Sequence, residues 1–401
     1  FLESRQSLFD FVCQNIYGFT QLSNINKHFF YLAIMHSATI KIVTYLRELN
    51  RKRLIHRKVI FLKKHNPEYP NRHTPPKIIH NVLIIHFQAG WGDFLYFSGL
   101  ITTLRSRGLN LIIGTCTDLI DRFQRISSSL KIIDVTKKPF TAPKNIDCVV
   151  DLDWNVTKQH NIQYINFLNC WSITCSNILN HLNVFDQYID ISQIPHISNR
   201  YAKVVEALTN SSCERILPCI ELFNADKIYA KQFLAKFNLS NKRFIYLNTV
   251  GSSESRNFSL KQILSIIRAC IERGIFVVHY SPNYDLRKIN SPNLCSIEDI
   301  NFFQLAAIIS KSSGIISPDT SIVHLASAFD IPVFAVFCQN DYDCFGLNLK
   351  SETWTPLSKN SIVVDTTVKN KLFSKVKKIR DLNFDFYLHV DTFLKSIFPN
   401  K

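Results

Sequence analysis

Short apolar runs, each followed by a polar loop and then a segment of helical period, recur along this chain from residue 81 onward. A pattern of that kind builds a parallel α/β sheet and little else. The first series comprises Asn81–Phe87, Leu109–Ile113, Lys131–Val135 and Asp147–Asp153, with helical stretches at about 93–106 and 119–124 between them. The second comprises Phe244–Asn248, Phe276–Tyr280, Gly314–Ser317 and Val333–Phe337, separated by helical stretches over 259–273, 301–310 and 320–329. The runs are mostly apolar without a strict alternation, as in strands covered on both faces. The stretch between the series, about 155–240, is less regular; within it 225–237 reads as a helix with Asn224 as its cap. Two α/β halves, each opening with a strand and a loop, predict two Rossmann-like domains with a cleft between them. Ligands in such sheets sit beyond the carboxyl ends of the strands.

Composition agrees with a globular chain of more than one domain. Its 401 residues are 46% apolar and 19% charged, which excludes a disordered or highly charged solvating protein. The formal charge of +16 is uneven, because residues 1–80 hold 13 Lys and Arg against 4 Asp and Glu. A segment this basic seeks an anionic partner, whether nucleic acid, a membrane face or an acidic substrate. Residues 1–76 read as mainly helical and end before Pro75-Pro76. Within them Phe29–Leu46 is the longest apolar stretch, but it contains His36 and Lys41, so an amphipathic or core-packed helix is expected rather than a membrane span. The start, Phe1-Leu-Glu-Ser-Arg, does not read as a secretory signal. The 11 Cys are scattered without a C-x-x-C pair, as expected of free thiols in a reducing compartment.

Three loops could carry chemistry. The first, after Asn81–Phe87, holds Gly90 and Gly92 and places Asp93 at the start of a helix. A dinucleotide fingerprint fails here, since Leu95 stands where G-x-G-x-x-G needs its last Gly. Asp93 reads either as a first-turn acid favoured by the helix dipole or as a general base at the mouth of the cleft. The second loop, Thr249 to Phe258, combines hydroxyls including Ser252, one glycine (Gly251) and the cation Arg256. It reads either as an ordinary polar loop or as a site for phosphate oxygens. In the third, Asp319, Thr320 and Ser321 open a helix, and His324 lies on the same face as Thr320 one turn in. That suits a capped helix or a diphosphate site. Asp151-Leu152-Asp153 reads as a strand end with a polar turn in preference to a metal-binding pair, and there is no Walker A loop, H-E-x-x-H or G-x-S-x-G.

In this order and spacing the three loops resemble family nine of the glycosyltransferases, the ADP-heptose:lipopolysaccharide heptosyltransferases. The residues that carry the likeness are Gly92-Asp93-Phe94-Leu95 after the first strand, Val149-Val150-Asp151-Leu152, Leu247 through Arg256-Asn257-Phe258, Asp319-Thr320-Ser321-Ile322-Val323-His324-Leu325-Ala326, and the strand Val333–Phe337. The likeness covers about residues 78–345 and the helix near Phe384–Phe398. Ser321 stands where the family's motif has Gly, and Phe258 where Trp is commoner.

The resemblance implies a GT-B fold and an inverting, metal-independent transfer of heptose from ADP-heptose to a lipopolysaccharide or lipooligosaccharide core. Asp93 would be the base and Arg256 the diphosphate-binding cation. Thr249, Ser252, Asp319, Thr320, Ser321 and His324 would serve the donor, and Gly90 and Gly92 would belong to the acceptor-side loop. No cofactor is implied beyond the nucleotide-sugar co-substrate. The expected domains are a basic helical extension (1–77), an acceptor-side domain (78–220) and a nucleotide-sugar domain (221–401). The expected partners are the donor, a lipid-linked glycan acceptor and an anionic membrane surface met by the basic extension. That places the chain in the cytoplasm at the inner face of the membrane. No nucleic-acid motif accompanies the charge, so nucleic acid is not expected. Another nucleotide-sugar donor, or a non-catalytic family member, are the alternatives.

Overall fold

In the computed structural model the apolar runs become two six-stranded sheets. The structure describes residues 73–399 apart from 89, 153–158, 176–184, 192, 290, 339–350 and 366–377, together with helical residues Arg53, Arg57 and Ile60. The stretch Phe29–Leu46 and Asp153 lie outside the described residues. By its contacts the chain divides into two compact units, 1–67 and 68–401, and both sheets belong to the second.

The first sheet contains β1 (Asn81–Ile85), β2 (Asn110–Thr115), β3 (Lys131–Asp134), β4 (Cys148–Asp151), β5 (Trp171–Thr174) and β6 (Gln187–Tyr188). Its helices are α1 (Trp91–Ser106), α2 (Thr117–Gln124), α3 (Gln159–Leu168) and α4 (Ile197–Thr209). After α5 (Asn224–Lys236) the second sheet follows, with β7 (Phe244–Asn248), β8 (Phe276–Tyr280), β9 (Leu294–Ser296), β10 (Gly314–Pro318), β11 (Val333–Phe337) and β12 (Ile362–Asp365). Its helices are α6 (Leu260–Glu272), α7 (Phe302–Ile309), α8 (Ser321–Phe329), the short α9 (Ser351–Trp354) and the C-terminal α10 (Phe386–Ile397). All the pairings are parallel.

The strand orders are β3-β2-β1-β4-β5-β6 and β12-β11-β10-β7-β8-β9. Each is the doubly wound order, in which the chain reverses direction beside its first strand. The reversal opens a crevice between β1 and β4 in one sheet and between β7 and β10 in the other. The Asp93 loop follows β1, and the Arg256 and Asp319 loops follow β7 and β10. Topology therefore carries all three loops to the two places where such sheets bind ligands.

Packing follows from the strand pleat. Phe244 and Tyr246 of β7 face one core, while Ile245 and Leu247 face the other with α6 and α10. Helix α1 is apolar nearly all round: Phe94, Leu95, Tyr96, Phe97, Leu100 and Ile101 are fully buried. A helix of that kind needs cover on every side, and α4 and α8 supply it along with the first sheet.

Caps set the helix starts. Ser259, Asn301 and Thr320, expected as first helical residues, are N-caps whose side chains accept from Gln262 N, from Phe303 N and Gln304 N, and from Ile322 N. Asn224, the expected cap, is instead the first residue of α5. There the Asp226 carboxylate caps by accepting from Phe223 N at 2.9 Å. The described cysteines are free thiols. Among the described residues no helix is long and apolar enough to cross a membrane.

Candidate active site

Gly90 caps α1 with extended backbone, and Asp93 is the third residue of the helix. Its carboxylate folds back over the helix start, so a Cβ on Gly90 would lie 2.5 Å from Oδ2. Burial pushes the Asp93 carboxyl up to about 6, with a backbone hydrogen bond opposing. A carboxylate poised near neutrality at a strand's carboxyl end is suited to general base work. Tyr201, from α4, is fully buried; burial and then the Asp93 charge push its phenol well up.

Gly92 lies against the second sheet domain. A Cβ there would be 2.9 Å from Cδ2 of His324 and 3.3 Å from its Nε2. The missing side chain thus lets the first turn of α1 meet the first turn of α8. His324 is buried, and burial, with the field of His196, holds its imidazole neutral by pushing it down to about 3. Its ring sits 5.3 Å from Tyr96 and 5.2 Å from Trp354, centre to centre. His324 Nδ1 and Tyr96 Oη have no hydrogen-bond partner among the described residues.

The two loops of the second sheet lock together. Gly251 allows the tight fold after β7, where a Cβ would stand 2.2 Å from Cβ of Arg256, and its N–H donates to Asn257 Oδ1 at 2.9 Å. This places Arg256 Nη1 3.2 Å from Asp319 Oδ2 and 3.3 Å from the Asp319 carbonyl. Burial raises the Asp319 carboxyl, and the Arg256 charge pulls it back. Thr320 caps α8 and Ser321 is its first residue. Ser321 is helical, so the Ser in place of Gly needs no unusual backbone there.

Two expected donor residues stand differently. Ser252 is exposed on the loop. Thr249 is fully buried and its hydroxyl donates to the Tyr280 carbonyl at 2.9 Å, which ties the loop to the end of β8.

Two features escaped the sequence reading. Asn248, at the end of β7, is the hub of the site: its Nδ2 donates to the Val250 carbonyl at 2.8 Å and reaches Ser317 Oγ at 3.2 Å and Thr320 Oγ1 at 3.3 Å. The signal was a polar residue closing an otherwise apolar strand. The second is a cavity of about 890 Å³ beyond β8 and β9, lined among others by Tyr280, Asp285, Glu298, Asn301 and Phe302. That size accommodates a nucleoside, and the lining offers both apolar faces and hydrogen-bonding groups. Among the described residues no group of three or more His, Cys, Asp or Glu side chains is arranged to hold a metal ion.

The model of glycosyltransferase family 9 (heptosyltransferase) matches residues 186–382. Among solved structures the chain is similar to a family 9 glycosyl transferase from Veillonella parvula, at 12% identity and TM-score 0.63, over 82% of this chain and 100% of that one. It is also similar to Escherichia coli ADP-heptose LPS heptosyltransferase II, at 15% identity and TM-score 0.57, over 79% of this chain and 98% of that one. Escherichia coli heptosyltransferase WaaC, solved with ADP, shows 15% identity and TM-score 0.55, over 79% of this chain and 97% of that one. At these identities the structural likeness establishes the fold. No protein with a curated description matches the sequence.

Proposed function

We propose, for a chain that carries a glycosyltransferase family 9 domain over residues 186–382, an inverting transfer of heptose from ADP-heptose to a lipopolysaccharide or lipooligosaccharide core. The observation that carries this reading is the meeting of the two crevices, where Gly92 of the Asp93 turn stands against His324 of the donor motif. In the proposed reaction the Asp93 carboxylate takes the proton of an acceptor hydroxyl as its oxygen attacks the anomeric carbon. The bond to the nucleoside diphosphate breaks on the opposite face, which inverts the configuration. The negative charge that gathers on the departing diphosphate meets the Arg256 guanidinium and the positive end of the α8 dipole, where Thr320 and Ser321 add hydroxyls. The nucleoside occupies the cavity beyond β8 and β9. Neutral His324 can only donate or accept a hydrogen bond, so its part is to orient the donor and not to carry charge. Product mass spectrometry with ADP-heptose and a core acceptor tests the whole reading. Transfer from another nucleotide sugar alone, or none at all, overturns the choice of donor or the enzymatic role.

Removing Arg256 takes a charged donor from the diphosphate and leaves Asp319 without its ion-pair partner. Hydrogen bonds to charged groups are worth about 1.5–3 kcal/mol. Arg256→Ala should therefore weaken ADP binding by roughly 10- to 100-fold, and Arg256→Lys by less. Calorimetric titration with ADP is the check, and unchanged affinity would remove Arg256 from the site.

The basic residues of 1–77 are proposed to hold the chain against an anionic bilayer, where its acceptor is anchored. Each Lys or Arg near such a surface contributes about 1 kcal/mol, screened by salt. Cosedimentation with vesicles containing anionic lipid should be strong at low salt and lost at high salt. Equal binding to neutral vesicles would contradict this.

A further inference from the structure

Trp91 is the first residue of α1, two positions before Asp93, and its indole is held between two groups. The Phe302 ring stacks on it at 4.1 Å with the planes 13° apart, and the Arg122 guanidinium lies 4.2 Å from its centre. Two groups at that distance cannot share one face of a ring, so the indole is sandwiched. Phe94 and Phe303 meet its edges at 5.7 Å each. A second layer lies alongside, in which Arg125 sits 4.0 Å over Phe303 and 4.1 Å over Phe223 and pairs with Asp226. Arg122, Trp91 and Arg125 belong to the first sheet domain and Phe302 and Phe303 to α7 of the second. Phe302 also lines the 890 Å³ cavity, as does Asn301, which caps α7. One aromatic contact therefore joins the wall of that cavity to the helix turn bearing Asp93.

We propose that Trp91 is a positioning residue for Asp93, and that the Trp91–Phe302 stack couples a nucleoside in the cavity to the placement of that carboxylate. The inference rests on the reading of the cavity as the nucleoside site and of Asp93 as the base. A ligand that packs on Phe302 fixes its ring. The stacked indole is fixed with it, and α1 cannot tilt at its first turn without breaking the stack. A displacement of about 1 Å at a reacting group costs on the order of 100-fold in rate.

The test separates turnover from binding. Trp91→Ala should lower kcat at saturating donor by roughly 10- to 100-fold and leave ADP affinity within about threefold, since Phe302 lines the cavity and the indole stands behind it. Trp91→Phe should restore most of kcat, because a flat ring can still stack. In the pair Trp91→Ala and Phe302→Ala, the double variant should lose little more kcat than the worse single one, as both break the same contact. Multiplicative losses, an unchanged kcat in Trp91→Ala, or no rescue by Trp91→Phe would overturn the coupling. Failure of ADP to bind the parent protein would instead take down the nucleotide reading itself, and the coupling with it.

Discussion

Asp93→Asn is expected to abolish measurable transfer, a loss of roughly 10²- to 10⁴-fold, while ADP binds the variant nearly as it binds the parent. Asn keeps the size of the carboxyl group and one accepting oxygen, but its amide cannot take a proton. The turn should stay intact, because Gly90 leaves the same room for either side chain. The parent should also show an acidic limb in its pH–rate profile. Only the deprotonated carboxylate acts as base, and burial pushes its carboxyl up to about 6. The rate should therefore rise about tenfold per pH unit below that point and level off above it. The facing groups titrate elsewhere: His324 is pushed down to about 3 and the Tyr201 phenol is pushed well up. His196, nearer His324, is also lowered by burial, against an upward pull from its hydrogen bond to the Thr355 carbonyl. Whatever activity remains in Asp93→Asn should lack the limb. Retained turnover would end the assignment of Asp93 as base.

Gly99→Ala should produce the largest loss of stability among the glycine substitutions around α1. A Cβ there would stand 2.0 Å from the Leu217 carbonyl oxygen and 3.0 Å from Cγ2 of Ile216. The obstacle is backbone, so no side-chain rotation relieves it. The segment is also tied on both sides: Cys219 N–H donates to the Leu95 carbonyl at 3.0 Å, and Ser198 Oγ donates to the Ile216 carbonyl at 2.6 Å. Moving it away breaks bonds to α1 and α4 together. Overpacking of this kind costs about 3 kcal/mol or more at its upper range. Urea unfolding followed by circular dichroism should show an earlier first transition, and activity should fall with it because α1 carries Asp93. An unchanged midpoint would mean that the 216–219 segment does not pass against the helix.

Gly99 also shows where sequence reading stopped. Gly90 and Gly92 stand out in the loop after β1, but the dinucleotide fingerprint that would explain their spacing fails, and Gly99 in the helix has no local reason at all. Their reasons are separate contacts: Gly90 with the Asp93 carboxylate, Gly92 with His324 across the cleft, and Gly99 with a segment more than a hundred residues on. No local window holds both sides of the last two.

Strands of the middle region were hidden for a related reason. β5 carries Ser172 and Thr174, polar yet fully buried. Ser172 is satisfied by Asp186, which accepts from its N–H at 2.8 Å and from its hydroxyl at 2.9 Å. Asp186 also accepts from the His73 N–H at 2.7 Å. A strand whose polar groups are answered by distant partners does not show the apolar run by which β1, β7 and β11 announce themselves.

What the sequence by itself determined is the local grammar. Continuous apolar runs dictated parallel strands, since only sheets covered on both faces can bury them. Ser259, Asn301 and Thr320 dictated helix starts, since free N–H groups there need a short polar side chain. The resemblance carried by the Gly92-Asp93, Arg256 and Asp319–His324 segments supplied the chemistry proposed for the chain. Only the tertiary structure decided how these pieces act together. It took the doubly wound strand order to bring the loops after β7 and β10 side by side, so that Asn248 could gather them and Arg256 could pair with Asp319. It took the packing of α1 on α8 to set Gly92 against His324, and of α1 on α7 to stack Trp91 on Phe302. The cavity beside that stack belongs to no motif, because its walls come from β8, β9 and α7 and exist only once the sheet is assembled.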